Sequence, residues 1–334
     1  MRAVPFVLII VFLSGCIGVS STPMMPHETE TIAAAQTIIF RPTEKEPTQE
    51  PSRVISPSET NTVEPTSQVS ELCIPSEEDY CIEKGHFLLG RPISSSENDK
   101  VEATYRYGST QNGLREPHHG VEFPNILGTP VLAAADGLVV FAGSDKDSLL
   151  SPWPDFYGNA VVIKHVVDGE DLFTLYGHLS KVDAEKDQFV KQGQKIGEVG
   201  ATGAAIGNHL HFEVRYGEND YASTRNPELW LFPKDGTGTL AVSVIGNYGT
   251  PVKVNLNIQR VLPDGTWQSF TQPESYDFKE KFPVSSDDVY RENIALGDLP
   301  AGNYRLTFVM LGELHERFIK VETDKLTLVD FDIH

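Results

Sequence analysis

Histidines are concentrated in the middle of the chain, and their spacing could hold a metal ion. Six of the ten lie in one stretch: His118, His119, His165, His178, His209 and His211. The apolar residues Leu210 and Phe212 predict a strand around the last pair, and residues two apart on a strand face the same side. His209 and His211 are therefore expected to point into one space.

A carboxylate follows the first histidine pair at a spacing that suits the same role. His118 and Glu122 are four residues apart, which puts them on one face of an extended segment. A helix could also align them, but Gly120, Val121 and Pro124 disfavour a helix here. Two histidines and one carboxylate are a common ligand set for catalytic zinc, which keeps a fourth position for water. Two unrelated histidine clusters in a β domain are the alternative interpretation.

The composition excludes several other classes of function. The 334 residues include 27 Lys and Arg against 47 Asp and Glu, a formal charge of −20. Phosphate backbones repel such a chain, so nucleic-acid binding is not expected. The length allows two domains plus unstructured sequence, and three cysteines with 40% hydrophobic residues exclude a disulfide-dense mini-protein.

The N-terminus has the pattern of an export signal. The apolar run 3–13 covers about 17 Å, too little to cross a hydrocarbon core of ~30 Å, and predicts a signal peptide over residues 1–15. The sequence Leu13-Ser14-Gly15-Cys16 resembles the lipobox of bacterial lipoproteins. This resemblance implies a lipid anchor on Cys16, with the protein facing the cell wall or periplasm and attached to the membrane by lipid alone. An ordinary secretory signal with a chance cysteine is the alternative.

A linker and a cysteine pair follow the signal. Residues 16–70 are dense in Pro, Thr, Ser and Glu, and we expect a disordered, lipid-anchored linker because so few apolar residues cannot offset the entropy of ordering. Cys73 and Cys81 lie close together in an exported chain and are expected to form a disulfide. A metal role for this pair is disfavoured because no third cysteine or histidine accompanies it at zinc-site spacing.

The remaining sequence predicts a mainly β protein with two folded regions. Over residues 71–235, short β-type runs are separated by glycine and helical periodicity is weak, which indicates a mainly antiparallel β domain. The runs are 130–135, 137–142, 160–166, 172–176, 195–199 and 209–215. Over residues 236–334 apolar and polar side chains alternate clearly, as in 252–258, and turn-forming residues separate these runs. This pattern predicts a C-terminal β-sandwich of unknown role.

Four motifs in the first region resemble one known family. In chain order they are His118-x-Gly120-Val121-Glu122, Gly128-Thr129-Pro130-Val131 with Ala134-Ala135-Asp136-Gly137, Leu175-Tyr176-Gly177-His178-Leu179, and Gly200-Ala201-Thr202-Gly203 through His209-Leu210-His211-Phe212-Glu213. Together they look like the lysostaphin-type (LytM-like) zinc endopeptidases of bacterial cell walls. The resemblance covers residues 105–233 and leaves out the linker and the sandwich.

The resemblance implies a zinc cofactor and roles for five residues. These are the zinc ligands His118, Glu122 and His211, and the catalytic pair His178 and His209, which act on water and substrate. The family ordinarily has Asp where this chain has Glu122. The side chain of Glu is one methylene longer, so either the backbone must shift or the carboxylate must bind zinc through a different number of oxygens. His119 is expected on the opposite face of the extended segment from His118 and Glu122. The alternative that His119 replaces His118 as the zinc ligand stays open. His165 is expected to support the site rather than to ligate, and a supporting role for Glu213 is a guess.

The activity implied by the resemblance is hydrolysis of peptide bonds in peptidoglycan stems or cross-links by a zinc-activated water. The alternative is a non-catalytic LytM-like adaptor that binds the cell wall or regulates another wall hydrolase. A third interpretation gives the main function to the sandwich, as a module that binds wall glycan or a partner. The sequence of the sandwich fits a plain structural domain equally well.

Overall fold

The computed structural model describes residues 73, 75, 78–276 and 278–333. The predicted signal peptide, the lipid attachment at Cys16 and the linker 16–70 lie outside the described residues. A disulfide joins Cys73 to Cys81, with their Cα atoms 5.7 Å apart, which confirms the predicted pairing. None of the helices in the described part is long and apolar enough to span a membrane.

Strands dominate the structure, so the predicted mainly β class is confirmed. The strands up to residue 225 are β1 (Cys81–Glu83), β2 (Val121–Pro124), β3 (Pro130–Leu132), β4 (Gly137–Ser144), β5 (Asn159–Val167), β6 (Glu170–Gly177), β7 (Lys181–Val182), β8 (Phe189–Val190), β9 (Lys195–Glu198), β10 (His209–Tyr216) and β11 (Thr224–Arg225). The later strands are β12 (Thr237–Ile245), β13 (Asn257–Val261), β14 (Trp267–Thr271), β15 (Ile294–Pro300), β16 (Gly302–Met310), β17 (Glu313–Val321) and β18 (Leu326–Asp332). Short 3₁₀ turns lie at Asp145–Asp147, Tyr221–Ser223, Pro227–Leu229 and Asn247–Gly249.

The largest sheet carries the candidate site. Its order is β11-β10-β6-β5-β4-β8, and β2 also pairs with β10. All of these pairings are antiparallel. The inner strands are rich in Val, Ile and Leu, which fit a pleated surface, and Val121, Phe212 and Val214 are fully buried in the core beneath them. Strand β10 therefore lies between β2 on one side and β6 on the other.

The C-terminal part is a β-sandwich, as predicted. One sheet has the order β1-β18-β12-β15 and the other β14-β13-β16-β17. Their inner faces enclose a core that includes Val242, Leu306 and Phe331. The alternation predicted over 252–258 is present in the burial of the side chains, but the ladder begins only at Asn257. One pairing, β12 with β18, is parallel.

The two β regions are joined by several contacts. Strand β1, from the segment before the largest sheet, pairs with β18 of the sandwich. Ala295 and Leu326 of the sandwich belong to the same buried cluster as the core of the large sheet. The Tyr107 hydroxyl accepts a hydrogen bond from the backbone N–H of Ser285 at 3.1 Å. The division into domains 71–235 and 236–334 stays a prediction.

Candidate metal centre

Three side chains that the sequence singles out converge at one point. Nε2 of His118 lies 2.9 Å from Oε1 of Glu122, and Nδ1 of His211 lies 3.1 Å from the same oxygen. The two nitrogens are 3.3 Å apart. A tetrahedral zinc with bonds of ~2.0–2.1 Å holds its ligand atoms about 3.3 Å from one another. The spacing of the three atoms therefore suits a single zinc ion.

The strand register brings the carboxylate to the second histidine. Glu122 on β2 is directly opposite His211 on β10 in the antiparallel ladder, where facing side chains are close neighbours. Gly120 allows the chain to approach, because a Cβ atom there would lie 2.5 Å from the Phe212 carbonyl and 2.8 Å from the His211 ring. The glycine between His118 and Glu122 is thus a steric requirement of the site.

The outer nitrogens of both ligand histidines are held by acceptors. Nδ1 of His118 donates to the Tyr105 carbonyl at 3.0 Å, and Nε2 of His211 donates to Oε1 of Glu213 at 3.0 Å. Carbonyl and carboxylate oxygens only accept, so the proton of each ring lies on the outer nitrogen. In a neutral ring the nitrogen that faces the centre then carries a lone pair, as metal ligation requires. Burial lowers the pKa of His211, but Glu122 and Glu213 outweigh it and raise the pKa to about 10, so a metal ion has to displace the second proton of this ring.

A buried polar network lies behind His211. Glu213 also accepts from Arg215 Nε at 2.8 Å and from the Tyr157 hydroxyl at 2.5 Å, and Arg215 donates to the Leu150 carbonyl. Burial would raise the pKa of Glu213, but the charge of Arg215 and these hydrogen bonds outweigh it and lower the pKa to about 2. Glu213 is therefore an anion that supports the His211 ring.

The sequence suggested a supporting role for Glu213 only as a guess, and it did not suggest any role for Tyr157 or Arg215. A signal for Arg215 exists, because His209, His211, Glu213 and Arg215 alternate along β10 and so share one face. Tyr157 lies more than fifty residues away, and no sequence pattern places it under β10.

His178 and His209 face the same centre from the other side. Their rings are 4.8 Å apart between centroids. Nδ1 of His178 donates to the Thr202 carbonyl at 2.9 Å, and Nδ1 of His209 donates to the Gly207 carbonyl at 3.1 Å. His178 follows β6 in the left-handed region, with φ 62°, an unusual conformation for a residue other than glycine. In both neutral rings Nε2 carries the lone pair, and Nε2 of His209 lies 3.1 Å from Oε2 of Glu122.

The charges at the centre favour a cation. Burial lowers the pKa of His178 to about 3 and also lowers that of His209, so both are neutral near pH 7. Burial opposes ionisation of Glu122, but His211 and His118 hold its pKa well below the usual range. Oε2 of Glu122 is buried and accepts no hydrogen bond, although Nε2 of His209 lies 3.1 Å away. Such an oxygen is costly unless a cation compensates it, so the residues fit a metal ion.

The other two histidines of the stretch lie outside the cluster. His119 points away: it contacts Thr224 Oγ1 at 2.9 Å and the Phe282 carbonyl at 3.2 Å. The structure therefore brings His118, and not His119, to the centre. His165 bonds to the Asp136 carbonyl and to Thr174 Oγ1, and its supporting role stays a prediction.

A groove of about 350 Å³ opens over the cluster. Besides the five site residues, its lining includes Tyr105, Arg115, Phe156 and Ile206. A second, smaller cavity of about 210 Å³ lies beside it and is lined by aromatic rings, among them Trp153 and Tyr221. The centre is thus open to a bound chain on one side.

Residues 116–223 match the family model described as Peptidase family M23. All five site residues fall within this range, and the predicted LytM-like resemblance is confirmed over this part of the chain.

Three relatives illustrate the range of this class. The chain is 38% identical over 127 residues to the cell division protein DipM of Caulobacter vibrioides, which covers 37% of this chain and 19% of DipM. It is 41% identical over 98 residues to the peptidoglycan DD-endopeptidase ShyA of Vibrio cholerae, which covers 29% of this chain and 20% of ShyA. It is 34% identical over 110 residues to the murein hydrolase activator NlpD of Escherichia coli, which covers 33% of this chain and 25% of NlpD. The chain thus spans about a fifth to a quarter of the length of these relatives.

Proposed function

We propose that the chain is a zinc metalloendopeptidase that hydrolyses peptide bonds in the stems or cross-links of bacterial peptidoglycan. The observation that carries the proposal is the set of three ligand atoms on His118, Glu122 and His211, 2.9 to 3.3 Å apart. The likeness to a relative named as a peptidoglycan endopeptidase supports the substrate class.

The ligands proposed for zinc are Nε2 of His118, Oε1 of Glu122 and Nδ1 of His211. Zinc bound by such a set acidifies a water molecule to a pKa of about 7 and polarises a peptide carbonyl. Glu213 and the Tyr105 carbonyl keep the two ligand rings in the tautomers that this binding needs.

His178 and His209 are proposed to move the proton. Each is neutral and has an unprotonated Nε2, because its one proton is on Nδ1 and is donated to a backbone carbonyl. One of them accepts the proton of the attacking water and passes it to the leaving amine. The other takes up a proton from solvent as negative charge develops on the carbonyl oxygen, and donates a hydrogen bond to that oxygen through Nε2.

A non-catalytic adaptor is the second candidate function. One observation favours it: the chain is also 34% identical over 110 residues to a protein named as a murein hydrolase activator. An adaptor would bind cell wall or a wall hydrolase through the same groove without needing zinc. Zinc content and hydrolysis of a soluble muropeptide separate the two functions.

The roles of the two kinds of histidine are tested by a pair of variants. We expect His211→Ala to lose the metal, because it removes one of three protein ligands. We expect His209→Ala to keep about one zinc per chain and to lose turnover by roughly 100-fold or more, because it removes a proton-transfer group. Metal content is measured by mass spectrometry beside digestion of a cross-linked muropeptide. A metal-free His209→Ala protein would show that the roles are wrongly assigned.

The cellular setting is part of the proposal. Lipid attachment at Cys16, followed by the linker 16–70, would present the groove to the wall from a membrane surface. Peptidoglycan peptide is then the proposed partner of the groove, and lipid alone the proposed contact with the membrane.

A further inference from the structure

One cation borders the groove beside the metal ligands. Among the described residues that line the groove, Arg115 is the one Lys or Arg. The Cζ atom of Arg115 lies 5.0 Å from the centre of the Tyr105 ring. Tyr105 in turn stacks on the His118 ring, with centroids 4.0 Å apart and planes 11° from parallel. The guanidinium is therefore one aromatic ring away from a proposed zinc ligand.

The guanidinium of Arg115 contacts the Tyr105 side chain and is not neutralised by a described carboxylate. Arg115 is exposed, and no ion pair joins it to a described carboxylate. Two other charged side chains line the groove. Glu122 belongs to the metal centre, and Oε1 of Glu102 accepts hydrogen bonds from the N–H and the hydroxyl of Thr104. An anionic group on a bound peptide would thus find Arg115 available.

The loop that presents Arg115 is held from the sandwich. The Glu274 carboxylate accepts hydrogen bonds from the Ser109 and Thr110 hydroxyls, both at 2.9 Å, and from the N–H groups of Thr110 at 3.0 Å and Asn112 at 3.2 Å. Burial opposes the charge of Glu274, but these bonds outweigh it and lower its pKa. The N–H of Arg115 closes the loop by donating to the Thr110 carbonyl at 3.0 Å.

We propose that Arg115 is a specificity-determining residue that binds a free carboxylate of the substrate peptide, close in sequence to the cleaved bond, and that Glu274 positions the loop that presents it. This inference rests on the proposed peptidase function. A guanidinium binds a carboxylate through two parallel hydrogen bonds. Stacking on Tyr105 and the clamp by Glu274 hold the cation in place, which reduces the entropy lost on binding.

Binding to a form of the protein that cannot turn over is the direct test. The full chain with His209→Ala is titrated calorimetrically with a soluble cross-linked muropeptide, and with the same muropeptide after its carboxylates are converted to primary amides. We expect the carboxylate form to bind about tenfold more tightly, since a charge-assisted, two-point hydrogen bond to a guanidinium is stronger than one to a neutral amide. Adding Arg115→Gln should remove this preference, and Arg115→Lys should restore part of it.

Two further variants complete the test. Lys186→Gln removes an exposed positive charge outside the groove and should leave the preference intact, which excludes an effect of total charge. Glu274→Gln should weaken the preference severalfold and, with His209 intact, raise KM for the carboxylate form more than for the amide form. A purely structural role of Glu274 would raise both alike.

The outcomes separate this inference from the proposed function. Equal binding of the two muropeptides, no measurable binding of the carboxylate form, or a preference that survives Arg115→Gln would each overturn the carboxylate subsite. If the preference is present but the chain with intact His209 cleaves neither muropeptide, the subsite stands and the peptidase function fails.

Discussion

The carboxylate oxygen of Glu122 lies in the cluster, although its side chain is one methylene longer than the Asp of the LytM-like pattern. Its Oε1 lies 2.9 Å from His118 Nε2 and 3.1 Å from His211 Nδ1, so the extra methylene does not displace the oxygen from the cluster. The carboxylate side chain is only 12% exposed and its pKa is held well below the usual range. Glu122 is therefore ready to ligate as an anion.

The carboxylate behind His211 should contribute to zinc affinity. In Glu213→Gln, a neutral amide accepts less strongly from the His211 ring, and the buried charge of Arg215 loses its partner. We expect the zinc dissociation constant to rise about 10–100-fold, measured by competition with a chelator. His165→Gln is the matched control, since His165 is buried in the same sheet but bonds to Asp136 and Thr174. Equal affinities for the two variants would refute the supporting role of Glu213.

At the scale of residues, the candidate ligands were predictable and their supports were not. Strand parity places His209 and His211 on one face, and the motif pairs His118 with Glu122. The supports come from contacts between distant segments, such as Tyr157 with Glu213 and His118 with the Tyr105 carbonyl. No local pattern in the sequence encodes such contacts. The left-handed backbone of His178 was also beyond prediction, because such strain is maintained by the surrounding fold.

Among the elements, two glycine-containing loops hold His178 in place. Gly158 and Gly203 both have positive φ, and a Cβ atom on Gly203 would lie 2.4 Å from the backbone nitrogen of Gly158. The Thr202 carbonyl beside Gly203 accepts the Nδ1 proton of His178. The close approach of the two loops thus sets the orientation of a proposed catalytic ring.

An alanine at position 203, where the two loops come close, should lower both stability and activity. Gly203→Ala combines positive φ with a backbone clash, and we expect the free energy of unfolding to fall by roughly 3 kcal/mol and turnover to fall with it. Gly217→Ala is the control, because Gly217 has φ 78° but open space around it. It should cost only about 1 kcal/mol. Urea unfolding of both variants checks the difference, and equal losses would contradict the steric argument.

The individual strands were predictable, but their partners in the sandwich were not. The runs predicted at 137–142, 160–166, 172–176 and 209–215 fall within strands β4, β5, β6 and β10. Alternation and β-branched residues are local signals, so they locate such strands. The pairing of β1 with β18 joins segments more than two hundred residues apart, and β12 pairs with the same strand β18 in parallel across some eighty residues of sequence. Local patterns do not encode such distant partners.

At the scale of the whole molecule, a buried carboxyl group lies where the two β regions meet. Glu292 accepts hydrogen bonds from the Tyr276 hydroxyl at 3.2 Å and from the N–H of Asp287 at 3.0 Å. Asn226 of the first region donates to the same Tyr276 hydroxyl at 2.9 Å. Burial raises the pKa of Glu292 to about 8, so the group is neutral in the folded protein at pH 7.

This carboxyl group should make stability fall as the pH rises. Between the unfolded pKa near 4.5 and the folded pKa of about 8, the unfolded chain releases a proton that the folded chain keeps, which favours unfolding. The contribution is fully present below about pH 4.5 and lost above about pH 8, a change of a few kcal/mol. Glu292→Gln should flatten the dependence, measured by urea unfolding from pH 5 to pH 9. If the free energy of unfolding depends on pH as strongly in this variant as in the wild type, then groups other than Glu292 cause the dependence.

The most direct test of the central claim is the zinc content of the tether-free protein, residues 71–334, beside a Glu122→Asp variant. We expect about one zinc per chain in both proteins, because the oxygen of Glu122 already lies 2.9 and 3.1 Å from the two histidine nitrogens, as ligands of one zinc ion would. Cleavage of a cross-linked muropeptide should accompany the metal. No zinc in the wild-type protein, with about one in the variant, would contradict the account and favour the adaptor.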